Sequence, residues 1–195
     1  MGSGPGGADW LGLREAYRLA LTQGRLNSYR RRHWQRREEF ERWLTEENLS
    51  SLTEKQALAL FRGSGERGTE QFKANSIEDI RDALDFLLYD TIKLEGRFDE
   101  CSSTGGAYKL AGAGKEFVSY LLCLRDPSLF AFWSSHSERA LRHIGIYPRG
   151  LGKGNLGLGY IDLLEALQAV RRQIGLADFQ AVDEFAYAVT RPGTR

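Results

Sequence analysis

The stretch LAGAGKEFVSYLLCLRDPSLFAFWSSHSERALRHIG, residues 110–145, decides how the rest of the chain is read. It opens on Leu110, Gly112 and Gly114, a spacing that lets the backbone turn tightly and come close to a neighbour. Lys115 and Glu116 follow, and then an apolar run, 117–124, that suits a buried helix. Asp126-Pro127 ends that run, because the residue before a proline is pushed out of the helical region. Ser135 or Ser137 can cap a second helix, which stops at Gly145. Two helices joined by short links, with a glycine turn at the front, set an all-helical expectation.

Outward from this segment the same periodicity dominates. Residues 10–23 carry Trp10, Leu13, Tyr17, Ala20 and Leu21 on one face. A long second helix is expected over 27–47. Ser51 or Thr53 caps a third, and GSGERGT at 63–69 is a loop by composition. Ser76 caps a helix with acids in its first turn. The glycine-rich segment 147–159 is expected to be an ordered loop, followed by helices over 160–174 and 178–189. No stretch shows strand alternation. The expectation is a tail at 1–9 and one all-α domain of about eight helices at 10–195, with two lobes as the alternative arrangement.

Composition limits the function classes. The 195 residues are 42% hydrophobic, enough for one core. With 27 basic and 26 acidic side chains, any nucleic-acid footprint must be local. Cys101, Cys123 and three histidines lack the spacing of a metal site, so no metal is expected. No apolar run reaches membrane-spanning length, and 1–9 lacks the pattern of a secretory signal. A cytoplasmic protein is expected.

The 110–145 segment resembles the signature of the helix-hairpin-helix DNA glycosylases, the superfamily that includes endonuclease III and 8-oxoguanine glycosylase. Leu110, Gly112 and Gly114 match its hairpin, Pro127 its link, Ser135-His136 its Thr-His-like pair, Arg139 the arginine after it, and Gly145 the stop. The match covers about a fifth of the chain. The resemblance implies DNA as partner, a phosphate on Gly112, Gly114 and Lys115, a monovalent cation at the hairpin, and excision of a flipped base. Amides at a helix start suit a phosphate on physical grounds as well; the competing reading is a turn that only lets two elements pack.

Two departures matter. Where the family carries its essential aspartate this chain has Ser134, and where bifunctional members carry a lysine nucleophile it has Glu116. Either catalysis is lost, leaving a reader of modified DNA that works with a nuclease or ATPase partner, or the carboxylate has moved to Glu116. Similar segments resemble the amino-terminal regions of modification-dependent restriction ATPases, which fits a reader. In the second case Glu116 stabilises the sugar cation or activates water, His136 or Lys115 assists the leaving base or the phosphate, and Ser134 and His136 line the catalytic site. Excision is then monofunctional, in repair or in defence against modified phage DNA. The competing reading of Glu116 is an acid in a first helical turn.

Other features bear on DNA. RLNSYRRRHWQRR, residues 25–37, holds six arginines and no acid; Arg30, Arg31 and Arg36 are candidate phosphate contacts, against a solvated helix face paired with Glu38, Glu39 and Glu41. Trp133 and Phe130 are candidate walls of a base pocket, against simple core packing. Asp178, Asp183 and Glu184 are expected to cap and solubilise the last helix. A helical protein-interaction module without a DNA role is the third class.

Overall fold

The protein is described by a computed structural model, covering residues 8–151 and 153–191. The described residues are all-helical, in twelve segments: α1 Trp10–Thr22, α2 Asn27–His33, α3 Arg37–Trp43, α4 Glu46–Leu49, α5 Glu54–Ser64, α6 Thr69–Phe72, α7 Ile77–Tyr89, α8 Leu94–Ser102, α9 Lys115–Arg125, α10 Ser135–Ile144, α11 Leu156–Ile174 and α12 Phe179–Thr190. None is long and apolar enough to cross a membrane. Of the tail expected at 1–9, residues 1–7 lie outside the described residues. Asp9 instead caps α1, accepting a hydrogen bond from the Gly12 amide.

Helix α9 organises the fold. Every residue from Phe117 to Leu124 is buried, as a helix apolar all round must be. It packs against α3, α5, α7 and α8. Phe117 meets Phe61 of α5 and Phe72 of α6 in one aromatic cluster, with Phe61 and Phe72 stacked at 4.2 Å. On the other side α8 packs on α11, where Phe98 and Tyr160 stack at 4.2 Å. Helix α12 closes the body against α1, α10 and α11.

The start of α5 follows its sequence closely. Thr53 accepts from the Gln56 amide while the Gln56 side chain accepts from the Thr53 amide, a complete capping box. Ser76 caps α7 in the simpler way, through the Asp79 amide.

Four expectations change. The helix expected over 27–47 is broken into α2, α3 and α4. Tyr29 and Trp34 are both buried, yet five positions apart they would lie about 140° apart around one straight helix. The chain leaves the helix at Trp34, φ −122°, and so turns both rings inward. Helix α8 is an addition to the helices expected. The loop expected over 147–159 is shorter, because Asn155 caps α11 through the Leu158 amide and Gly157 lets that helix close on the backbone of Glu95. The cap of α10 is Ser134 rather than either serine expected, Ser135 or Ser137.

Candidate functional site

A cleft of about 500 Å³ opens where α2, the turn after α5, and the starts of α9 and α10 converge. Tyr29, Arg32 and His33 come from α2; Ser64 ends α5, and Gly65, Glu66 and Arg67 form the turn after it; Glu116 comes from the first turn of α9. Phe132, Ser134, Ser135, His136 and Arg139 form the facing wall, and Arg191 follows α12. Four arginines thus surround two glutamates. A wider hollow of about 740 Å³ over 35–42 is lined by arginines and glutamates such as the Arg36–Glu39 pair, an open charged surface with no convergent chemistry.

Glu116 has the most altered environment of the cleft's acids. Burial pushes its carboxyl up to about 7, and the charge of Glu66 adds to that, while Lys115 and Arg67 pull the other way. A carboxyl poised there exchanges protons near neutrality, as a general acid or base requires.

Ser134 stands where the resembled glycosylases carry their aspartate, but its hydroxyl is committed. It donates to Asp183 at 3.2 Å and accepts from the Ser137 amide at 3.3 Å. Asp183 corrects the expectation that the acids of α12 merely solubilise it. Its side chain is buried and accepts hydrogen bonds from Tyr29, Trp34 and Ser134. Burial raises it to about 7, against the pull of those three donors. Glu184, also buried, takes Arg30 at 2.5 Å and the Gln180 amide. A signal for Asp183 is present in the sequence: it shares the i, i+3, i+4, i+7 face of Phe179, Val182 and Ala186, where an acid must be buried. Asp178 does cap α12, through the Ala181 amide.

The two cleft histidines are neutral donors or acceptors. Burial, then the nearby arginine charges, lowers His136 to about 4. Arg139 approaches its Nδ1 at 3.1 Å, and since a guanidinium can only donate, the ring proton sits on Nε2. Burial lowers His33 to about 4 despite its contact with the Gly63 carbonyl at 2.7 Å, to which Nδ1–H donates.

The glycine hairpin is filled by the protein's own side chains. Glu66 Oε2 accepts from the amides of Gly114 at 3.1 Å and Phe117 at 3.0 Å, at the start of α9 where a phosphate was expected. Lys109 donates to the carbonyls of Leu110 and Ala113, so these oxygens do not fit the expected monovalent cation. Gly112, at φ +76°, touches Gly68 backbone to backbone; a Cβ there would lie 2.3 Å from the Gly68 carbonyl oxygen. Close packing accounts for this glycine. Lys115 turns away from the cleft to pair with Glu138 at 2.5 Å, over the ring of Trp133.

The other expected residues divide. Arg139 lies on the cleft, with Ser134, His136 and Glu116. Arg30 pairs with Glu184 and Arg36 with Glu39, and Arg30, Arg31 and Arg36 are all exposed. Trp133 does not reach the cleft: it is wholly buried, its indole donating to Glu138 and its ring near Phe98 and Tyr160. Phe130 is half-buried against the core, and of the aromatics at 130–133 it is Phe132 that reaches the cleft wall, where Tyr29 also lies. Arg32, Arg67 and Arg191, which are not singled out by the sequence, surround the opening because the fold gathers them from three distant segments. No protein-family model, curated protein or solved structure matches the chain.

Proposed function

We propose that this chain is a divergent, monofunctional DNA glycosylase, which excises a flipped, modified or damaged base in repair or in defence against modified phage DNA. The observation that carries the reading is Glu116: a half-buried carboxyl, raised to about 7, in an arginine-ringed cleft large enough for a nucleotide. Arg32, Arg67, Arg139 and Arg191 supply the charge that a DNA backbone needs, and clefts of one dominant sign focus that field.

Breaking an N-glycosidic bond leaves positive charge on the sugar and negative charge on the departing base. Glu116 serves the first in its ionised form and the second in its protonated form. His136, neutral with its proton on Nε2, can donate to the base. The helix-hairpin-helix reading is retained with one change: Glu66 and Lys109 satisfy the hairpin from within, so DNA contact falls to the cleft arginines. Both cysteines are free and buried, which fits a reducing, cytoplasmic setting.

The test is incubation with DNAs carrying different base modifications, scoring alkali-labile abasic sites for wild type and Glu116→Gln. Abasic sites with wild type alone support the reading. Equal amounts from both proteins remove Glu116 from the mechanism. One observation favours a second reading, a non-catalytic reader with a nuclease or ATPase partner: the hydroxyl of Ser134 is bound to Asp183 and offers nothing to a sugar. Tight binding of one modified DNA without abasic sites would select it.

A further inference from the structure

Glu66 does two things at once. Its Oε2 accepts from two amides at the start of α9, and its side chain lines the same cleft as Glu116. Among the described residues no donor is bound to Oε1. A Cβ on Gly114 would meet that oxygen at 3.1 Å, so the glycine leaves it room beside the helix start.

The two carboxylates therefore sit in contrasting environments. Oε2 of Glu66 is held by the backbone N–H groups of Gly114 and Phe117, at 3.1 and 3.0 Å. Glu116 is half-buried with no side-chain donor bound to it among the described residues, and the Glu66 charge acts on it. Lys115 and Arg67 oppose that effect and Glu138 adds to it. From the other packed elements, Tyr29 and Arg32 of α2 and His136 and Arg139 of α10 face the same cleft. Two carboxyl groups of one cleft, one half-buried without a bound donor and one held by backbone amides, can divide the labour of an acid and a base.

We propose that Glu66 is the second reacting carboxylate of the cleft, the partner of Glu116. This rests on the glycosylase reading and assigns the roles within it. The C1′–N bond breaks with its electron pair passing to the base, which takes the proton of Glu116. The negative Glu66 faces the developing sugar cation. A water then bonds its oxygen to C1′ and loses a proton to Oε1 of Glu66. Exchange with solvent returns that proton and reprotonates Glu116, so the net reaction consumes one water.

The test is Glu66→Gln. The amide oxygen can still accept from Gly114 and Phe117, so the helix start is kept and only the charge is removed. Two readouts are taken. The first is the titration of the Glu116 carboxyl by carbon-13 NMR, whose midpoint should fall in the variant because a like charge is gone. The second is single-turnover excision, expected to drop ~100-fold or more at neutral pH with DNA affinity within about threefold of wild type, the range general-base groups supply. A second variant, Gly114→Ala, crowds Oε1 without changing any charge and should slow excision with the Glu116 midpoint near wild type.

Excision by Glu66→Gln at the wild-type rate would make Glu66 a helix cap and overturn the proposal. An unmoved Glu116 midpoint would overturn the pairing even if excision fell. Failure of the wild type to excise any base would sink the glycosylase reading first, and the catalytic role with it.

Discussion

The hydroxyl of Tyr29 donates to the carboxylate of Asp183, 2.8 Å from one oxygen and 2.9 Å from the other, joining residues 154 positions apart. Trp34 and Ser134 complete the shell, and Tyr29 and Ser134 also face the cleft. The wall of the site is thus tied to the core by one buried acid. Asp183→Ala should cost about 3 kcal/mol, because it leaves three donors unpaired. Asp183→Asn should cost less, since its carbonyl oxygen still accepts. Chemical denaturation of both variants checks the order; equal losses would mean that cavity formation outweighs the hydrogen bonds.

Glu116 should make the fold pH-sensitive in a stated direction. Its folded pKa lies above the unfolded value, so the folded state binds more protons between about 4.5 and 7. Its contribution to stability is present below that window and is lost as pH rises through it. Glu116→Gln should therefore be more stable than wild type at pH 8, by on the order of 1 kcal/mol once partial exposure is discounted. His33 and His136, both lowered to about 4, act oppositely between about 4 and 6.5. The comparison must be made as variant against wild type across pH, where their contributions cancel. A difference that shrinks from pH 5 to pH 8 would contradict the sign.

The arginines should separate by their partners. Arg32→Gln, Arg67→Gln and Arg139→Gln should each reduce the slope of log DNA affinity against log salt by about 0.9 for every phosphate that no longer meets a guanidinium. Arg36→Gln should leave it unchanged, since Glu39 already holds that side chain on the helix surface. Salt titration by fluorescence anisotropy reads this directly. A fall with Arg36→Gln and none with Arg139→Gln would put the DNA surface on another face.

Lys115→Met should act on stability rather than on DNA binding. It removes the partner of a part-buried glutamate that also receives the Trp133 indole, and leaves Glu138 with only the longer Arg142 pairing. The expected cost is about 1–3 kcal/mol, with the salt slope preserved. A lower melting temperature and an unchanged slope are the paired result; a changed slope would return Lys115 to the DNA interface.

Gly112→Ala should be far more costly than Gly145→Ala. Both have positive φ, but a methyl at 112 meets backbone at 2.3 Å whereas at 145 nothing lies within 4 Å. About 1 kcal/mol is expected at 145, from the left-handed backbone alone, and several times that at 112. Thermal unfolding of the two proteins makes the comparison.

Residue types alone account for the local grammar. Thr53, Ser76, Asp178 and Gly145 open and close their helices as their residue types dictate, because a cap is a hydrogen bond within one turn. The apolar run of α9 likewise announced a buried helix. The break at Trp34 was legible only as a conflict between two apolar positions, and which of them would yield depends on α12, where Asp183 accepts from the indole. The tertiary structure alone decided what fills the hairpin. Glu66 and Lys109 look like solvated charges in GSGERGT and AYKL, and nothing local tells a carboxylate that it will cap a helix some fifty residues away. It decided also which arginines find acidic partners, because Arg30 meets Glu184 across the fold while Arg32 lines the cleft. Charge pairing between distant segments depends on distances that only the packed chain sets, and a Coulomb interaction has no sequence period from which to read it.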